Sequence, residues 1–476
     1  MRWAARLAAA LFACAALADE ASAHALAQRY DLPLPLGFFL MAAGAAVALS
    51  FAILALFWRH QSGHQRPDRT IAEGRIPFAI IVIGQILAVG ALALIVGAGL
   101  FGNQNTFKNI VPVAVWVIWW VGLSFVSAFV GNIWALINPW SAIFGFVEWM
   151  APPWVNGLSL RLAYPKWLGA WPACALFLLL AWLELVAPAR DVPRNIAIAT
   201  VAYSIFTWIG FGVFGRDVWL KGGEVFSVLF GLFGRFAPIL FVRNDGWHWR
   251  LRFFATGLLT LKPLVPSLIA FTLLMLGTVT VDGLMETPLW AAVVEHLLAG
   301  RGGIDANPVA FILLPSALLV VGPLLLAGLY LAVVATMAMI GQVSIRALAG
   351  MFILSLVPIA IGYHLAHYFS LLAIAGQFII PLASDPFGYG WDLFATTLYR
   401  IDIGIVDARF IWYLAVTAIV TGHIVAVWIG HVTAYTIFRD AGVARRSQYP
   451  MLVLMVGYTM LSLWILAQPI VEPAAK

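Results

Sequence analysis

Ten stretches of the chain run with almost no charge for about 20 residues, the length that crosses a hydrocarbon core roughly 30 Å thick as a helix. They fall at roughly 37–58, 77–101, 112–135, 167–187, 196–215, 264–284, 309–340, 347–370, 411–438 and 450–469. Three intervening stretches break the pattern. The segment near 136–150 holds Asn138-Pro139-Trp140 and is followed by Pro152-Pro153; the prolines rule out one continuous helix and predict a short helix lying at the inner interface. The segment 222–241 is apolar but set among basic residues, which predicts an interfacial or re-entrant helix rather than another span. The segment 376–409 mixes turn residues, aromatics and carboxylates, and predicts a long outer loop, the kind of element that often carries function.

Composition turns these helices into a fold class. With 63% hydrophobic and 10% charged residues, the chain lies outside the range of a soluble domain. The expectation is an all-α polytopic membrane protein of about ten transmembrane helices. Arg2 and Arg6 flank the start of the apolar run LAAALFACAALA, and small residues follow in DEASAHA, the layout of a cleaved signal peptide. Residues 1–23 are therefore read as a leader and 24–476 as a single transmembrane helical domain. Cuts after Ala23 and after Ala25 both satisfy the small-residue rule, and the first would leave His24 as the new amino terminus, where amine and imidazole together can chelate copper.

Charge sets the orientation. Of the 27 Lys and Arg residues, two lie in the leader, 17 fall in loops on the inner side of such a topology and 8 on the outer side, as the positive-inside rule requires. The expected location is a bacterial inner (cytoplasmic) membrane, with both mature termini periplasmic. Topology and anionic lipid account for the net charge of +6, so no nucleic acid partner is expected. The cysteines, Cys14 and Cys174, offer no disulfide framework.

Candidate chemistry rests on histidine. His364 and His367 are three residues apart in IAIGYHLAHYFSLLAIAG, so both rings share one helix face. With the helix ending near 370, the pair would stand just under the outer surface, at a periplasmic mouth. Several carboxylates reach the same level: Glu184, Asp282, Asp31, Asp385, Asp402 and Asp407. Imidazole with carboxylate suits a divalent metal, zinc or copper, and Glu184 and Asp385 are the favoured partners of the pair. The competing reading is structural, with both rings hydrogen-bonded to nearby carbonyls or acids. His423 lies deeper, near the midplane, and is either a further metal contact or a helix-to-helix hydrogen bond.

The blocks AHALAQRYDLPLPL, VGNIWALINPWSAIF, GEVFSVLFGLFGRFAP, YHLAHYFSLLAIAGQFIIPLASDPFGYGWDLF and DIGIVDARFIWYLAVTAIVTGHIVAV resemble a bacterial group of integral membrane proteins labelled fenitrothion hydrolase. The resemblance implies hydrolysis of an organophosphate triester with release of a nitrophenol, and it supplies no catalytic residue at a numbered position. A metal at the histidine pair could lower the pKa of bound water and polarise the phosphoryl oxygen of a lipophilic substrate arriving from the outer leaflet. Two alternatives stay open: handling or transport of copper or another divalent metal ion, and a membrane anchor without catalysis for a periplasmic protein partner.

Overall fold

The computed structural model describes residues 32–57, 70–152, 157–260, 262–298, 308–438 and 440–470. The expected leader, His24 and Asp31 lie outside the described residues. Helices occupy all ten apolar stretches. The first half contains α1 (Leu36–Phe57), α2 (Phe78–Phe101), a π-helical segment Val113–Gly122 running into α3 (Leu123–Phe129), α4 (Trp134–Ile137), α5 (Pro139–Met150), α6 (Trp171–Leu185), α7 (Pro193–Phe214), α8 (Arg216–Gly222) and α9 (Val225–Gly234). The second half contains α10 (Pro266–Met285), α11 (Pro288–Leu298), α12 (Pro308–Gly341), α13 (Ile345–Phe352), α14 (Val357–Ile374), α15 (Ile379–Ser384), α16 (Ala408–Ile437), α17 (Ala441–Ser447) and α18 (Tyr449–Ile470).

Among the described residues, 8 helical runs are long and apolar enough to cross a membrane, so the chain is a multi-pass helical membrane protein. The two apolar stretches that fall short are Val113–Phe129 and Trp171–Leu185. Their shortness follows from their ends: the first breaks at the Gly131-Asn132 turn, and the second starts only at Trp171-Pro172, where proline suits the first turn of a helix.

One run organises the rest. Ile345–Ser384 is a nearly unbroken helical rod with 83% of its apolar window buried, against 11% for Val309–Gly341, which faces outward along most of its length. The rod lies against α16 where two glycines interlock. A Cβ on Gly362 would stand 2.6 Å from the Ala418 carbonyl oxygen, and one on Gly422 would stand 2.6 Å from that of Pro358. Between helices in lipid there is little hydrophobic drive to association, so small residues that let backbones meet supply the contact.

Three expectations need correction. The helix carrying His364 does not end near 370, because 3₁₀ residues Ala375–Phe378 and then α15 carry the helical run on to Ser384. The reason is Gln377, read from sequence as the start of a loop. Its amide donates to the Ala373 and Asp402 carbonyls, and its oxygen accepts from the Asp402 amide and the Tyr399 hydroxyl, so one side chain binds the connection to the helix. The outer connection consequently begins at Asp385. Third, a small antiparallel sheet accompanies the helices, with β1 (Ala72–Arg75), β2 (Ile239–Asn244) and β3 (Gly246–Leu251) in the order β1-β3-β2. Strands of four to six residues escape a window of spanning length. The tight hairpin between β2 and β3 rests on Gly246 at φ +106°, a conformation open chiefly to glycine.

Candidate functional site

The two segments read as non-spanning meet around one buried carboxylate. Glu224 has no solvent exposure and is the N-cap of α9, accepting the backbone amides of Phe226 at 3.1 Å and Ser227 at 2.7 Å. The Trp134 indole and the Asn138 amide each donate to it at 3.2 Å, and the hydroxyls of Tyr203 and Ser227 also donate. Asn138 turns its oxygen to the Ser141 amide and so caps α5 as well. At the opposite end of α9 the buried guanidinium of Arg252 donates to the carbonyls of Gly234, Arg235 and Ala237. A negative group at the amino end and a positive group at the carboxyl end both oppose the helix dipole. Ten residues make a helix of roughly 15 Å, about half the hydrocarbon thickness. Such a helix is stable inside the bundle only because its end groups find these partners.

The wall above α9 is a small cavity of about 30 Å³. Leu229 and Phe233 of α9 line it, together with Trp120, Ser124, Glu184 and Thr278, and with His364 and Tyr368 from the rod. Consecutive tryptophans of the π-helical segment divide between the two regions. Trp119 packs on Phe226 and Trp140 at the Glu224 centre, while Trp120 packs on Phe177 and faces the cavity. His364 sits edge-on to Phe125 and Phe233, and its ring hydrogen-bonds the backbone of Val121. Its Nε2 is buried and has no hydrogen-bond partner among the described residues; the same is true of the Trp120 indole nitrogen. A buried polar atom left bare costs about 1–3 kcal/mol.

His367 has a different setting. Its Nε2 lies 2.9 Å from Asp282 Oδ2, the same oxygen that accepts the Tyr368 hydroxyl at 2.6 Å. Both ring and acid are buried. A carboxylate behind an imidazole fixes its orientation and tautomer, an arrangement common beside metal ions.

Of the expected site residues, then, the structure brings His364, His367 and Glu184 to one region and adds Asp282 and Tyr368. It separates Asp385, which lies at the far end of the rod, roughly 30 Å along the helix from His364. The Asp385 carboxylate accepts the Tyr389 and Gly390 amides at 2.9 and 2.6 Å and shapes the outer loop instead. His423 is also apart. Gly422 faces Pro358, which sets His423 about 9 Å below His364 along the rod. Its Nδ1 meets the Ile419 carbonyl oxygen at 2.9 Å, and its ring faces Tyr458, whose hydroxyl pairs with Thr280. Nor is the histidine pair at a mouth. His364 and His367 are buried halfway along a rod of 40 residues.

Neither Glu224 nor Arg252 was a candidate from the sequence, where Arg252 counted only as one of the basic residues of the inner side. A signal was present: a lone acid opening a short apolar helix is an N-cap pattern. Compared with known protein families, with curated proteins and with solved structures, the chain finds no match.

Among the described residues no three His, Cys, Asp or Glu side chains converge as a ready metal-ligand group. A metal at the cavity would take His364 and Glu184 first and complete its shell with water or with His367 through the ring nitrogen that does not face Asp282. The donor set of imidazole and carboxylate suits zinc or copper.

Proposed function

We propose that this protein is a metal-handling protein of a bacterial inner membrane, crossing it about ten times behind a cleaved leader, with both mature termini periplasmic. Its cargo is a divalent metal ion, zinc or copper, held by His364 and Glu184 with His367 as the third side chain and Asp282 orienting that ring. The observation that carries this reading is the bare Nε2 of His364, a buried ligand atom on the wall of a cavity that Glu184 shares. The volume points the same way. A space of about 30 Å³ suits an ion or a single water.

The resemblance to fenitrothion hydrolases supports a second reading at the same residues, in which the metal would supply Lewis acidity and an activated water for phosphotriester cleavage. His364 and Glu184 would hold the metal there, and Tyr368 would stand beside the reacting group. That reading needs the cavity walls to part, since a triester is many times larger than the space. Metal analysis of protein purified without chelators tests both. About one zinc or copper per chain, lost in His364→Ala, is the expected result; a protein that takes up neither metal when supplied, or a variant that keeps its full complement, overturns the assignment. Release of nitrophenol from fenitrothion by metal-loaded protein would move the conclusion to the hydrolase.

A further inference from the structure

Away from the histidine cluster, a groove of about 510 Å³ opens on the surface where α12 ends and α18 begins, lined by Ile340, Arg445, Arg446, Tyr449, Pro450 and Val453. Its chemistry is divided. Arg445 and Arg446 are both exposed in the last turn of α17, and among the described residues neither guanidinium has a carboxylate within salt-bridge reach. The nearby acid Asp440 is the N-cap at the other end of α17, where it accepts the Val443 amide at 2.7 Å. The rest of the lining is apolar and open: Val453 is 72% exposed and Ile340 39%, on the faces of α18 and α12 turned away from the bundle. Tyr449 stands between the two halves, 47% exposed, where an amphipathic ring marks the headgroup level.

We infer that this groove binds one anionic glycerophospholipid, its phosphate on Arg445 and Arg446 and its acyl chains along Ile340 and Val453. Two adjacent guanidiniums match a phosphodiester better than any neutral headgroup, because their fixed donor forks pair with its oxygens. Basic pockets between helices at a membrane surface are where such headgroups are held. The continuity of a charged rim with a lipid-facing wall favours a lipid over a soluble anion, which would leave the apolar half bare.

The test is native mass spectrometry of the delipidated full chain in neutral detergent, with dioleoyl phosphatidylglycerol or dioleoyl phosphatidylcholine added. The expected result is retention of the glycerol lipid about tenfold above the choline lipid, weakened by salt. The double variant Arg445→Gln with Arg446→Gln should lose that preference, while the charge-matched control Arg243→Gln with Arg346→Gln, both exposed elsewhere, should keep it. Equal retention of the two lipids, an unaffected double variant, or an equal loss in the control would overturn the inference. Displacement by millimolar inorganic phosphate would also overturn it, since the groove would then be a site for a free anion. If the double variant fails to fold, either single substitution reads the same preference at partial strength.

Discussion

Glu224 and His364 are both buried in an apolar interior, and they differ in what surrounds them. The carboxylate of Glu224 receives donors from α4, α7 and its own helix and from the residue that caps α5. His364 keeps one ring nitrogen bare beside a cavity. A buried charge with a full set of partners supports the fold, and removing it exposes every donor at once. A buried polar atom with none is a cost the fold bears. Two polar centres sharing α9 as a common wall thus differ in how fully their polar atoms are met.

Breaking the satisfied centre should have the largest effect. Glu224→Ala is expected to cost about 3–5 kcal/mol, seen as a steep fall in folded yield and in melting temperature in detergent. A variant that melts like the wild type would show that the cap is dispensable. Arg252→Ala, at the other end of α9, should cost about 2–3 kcal/mol by the same measurement. Next comes the boundary between the two centres. Asp282→Asn removes the charge that accepts from His367 and Tyr368, for a loss of about 1–3 kcal/mol; it should also weaken metal retention, because the His367 ring loses its orienting partner.

His364→Ala sharpens the contrast from the other side. It should abolish stoichiometric metal while lowering stability by about 1–3 kcal/mol, less than Glu224→Ala, since a bare nitrogen leaves with the ring and the losses are the Val121 hydrogen bond and aromatic packing. Elemental analysis beside a melting curve separates the two quantities. A loss of stability as large as that of Glu224→Ala would make His364 another structural group. The smallest effect is expected at Asp385. Asp385→Ala should leave the metal content unchanged, because its carboxylate serves the amides of the outer loop, and limited proteolysis should detect looser packing there.

The helices were legible because each depends on local composition. The stretches at 37–58, 77–101, 196–215, 264–284 and 450–469 agree with α1, α2, α7, α10 and α18 to within a few residues at each end, as hydropathy over a window of spanning length should. Within 222–241 a short helix was expected and α9 (Val225–Gly234) is one, although the last residues of that stretch belong to β2. The sheet was not legible, since its strands are only four to six residues long. The end of the His364 helix was missed for a further reason: Gln377 replaces a lost turn with bonds to Tyr399 and Asp402, which no window around residue 377 contains.

The candidate site divides along the same line. Sequence alone singled out His364, His367 and Glu184 as candidate ligands on apolar helices, because ionisable groups are rare in such segments and the spacing of the two histidines fixes a shared face; it placed them at a mouth rather than in the interior. Which of them would meet was decided by packing. His367 and Asp282 are 85 residues apart, and Trp134 and Glu224 are 90; a chain pattern carries no distance across such a separation. Tertiary structure chose Asp282 over Asp385 as the acid beside His367, paired Glu224 with the tryptophan-rich turn, and left His364 facing a cavity. It did so because in a water-poor interior each polar atom must find a partner among whatever the helices bring near, and the helices are placed by backbone contacts such as those of Gly362 and Gly422.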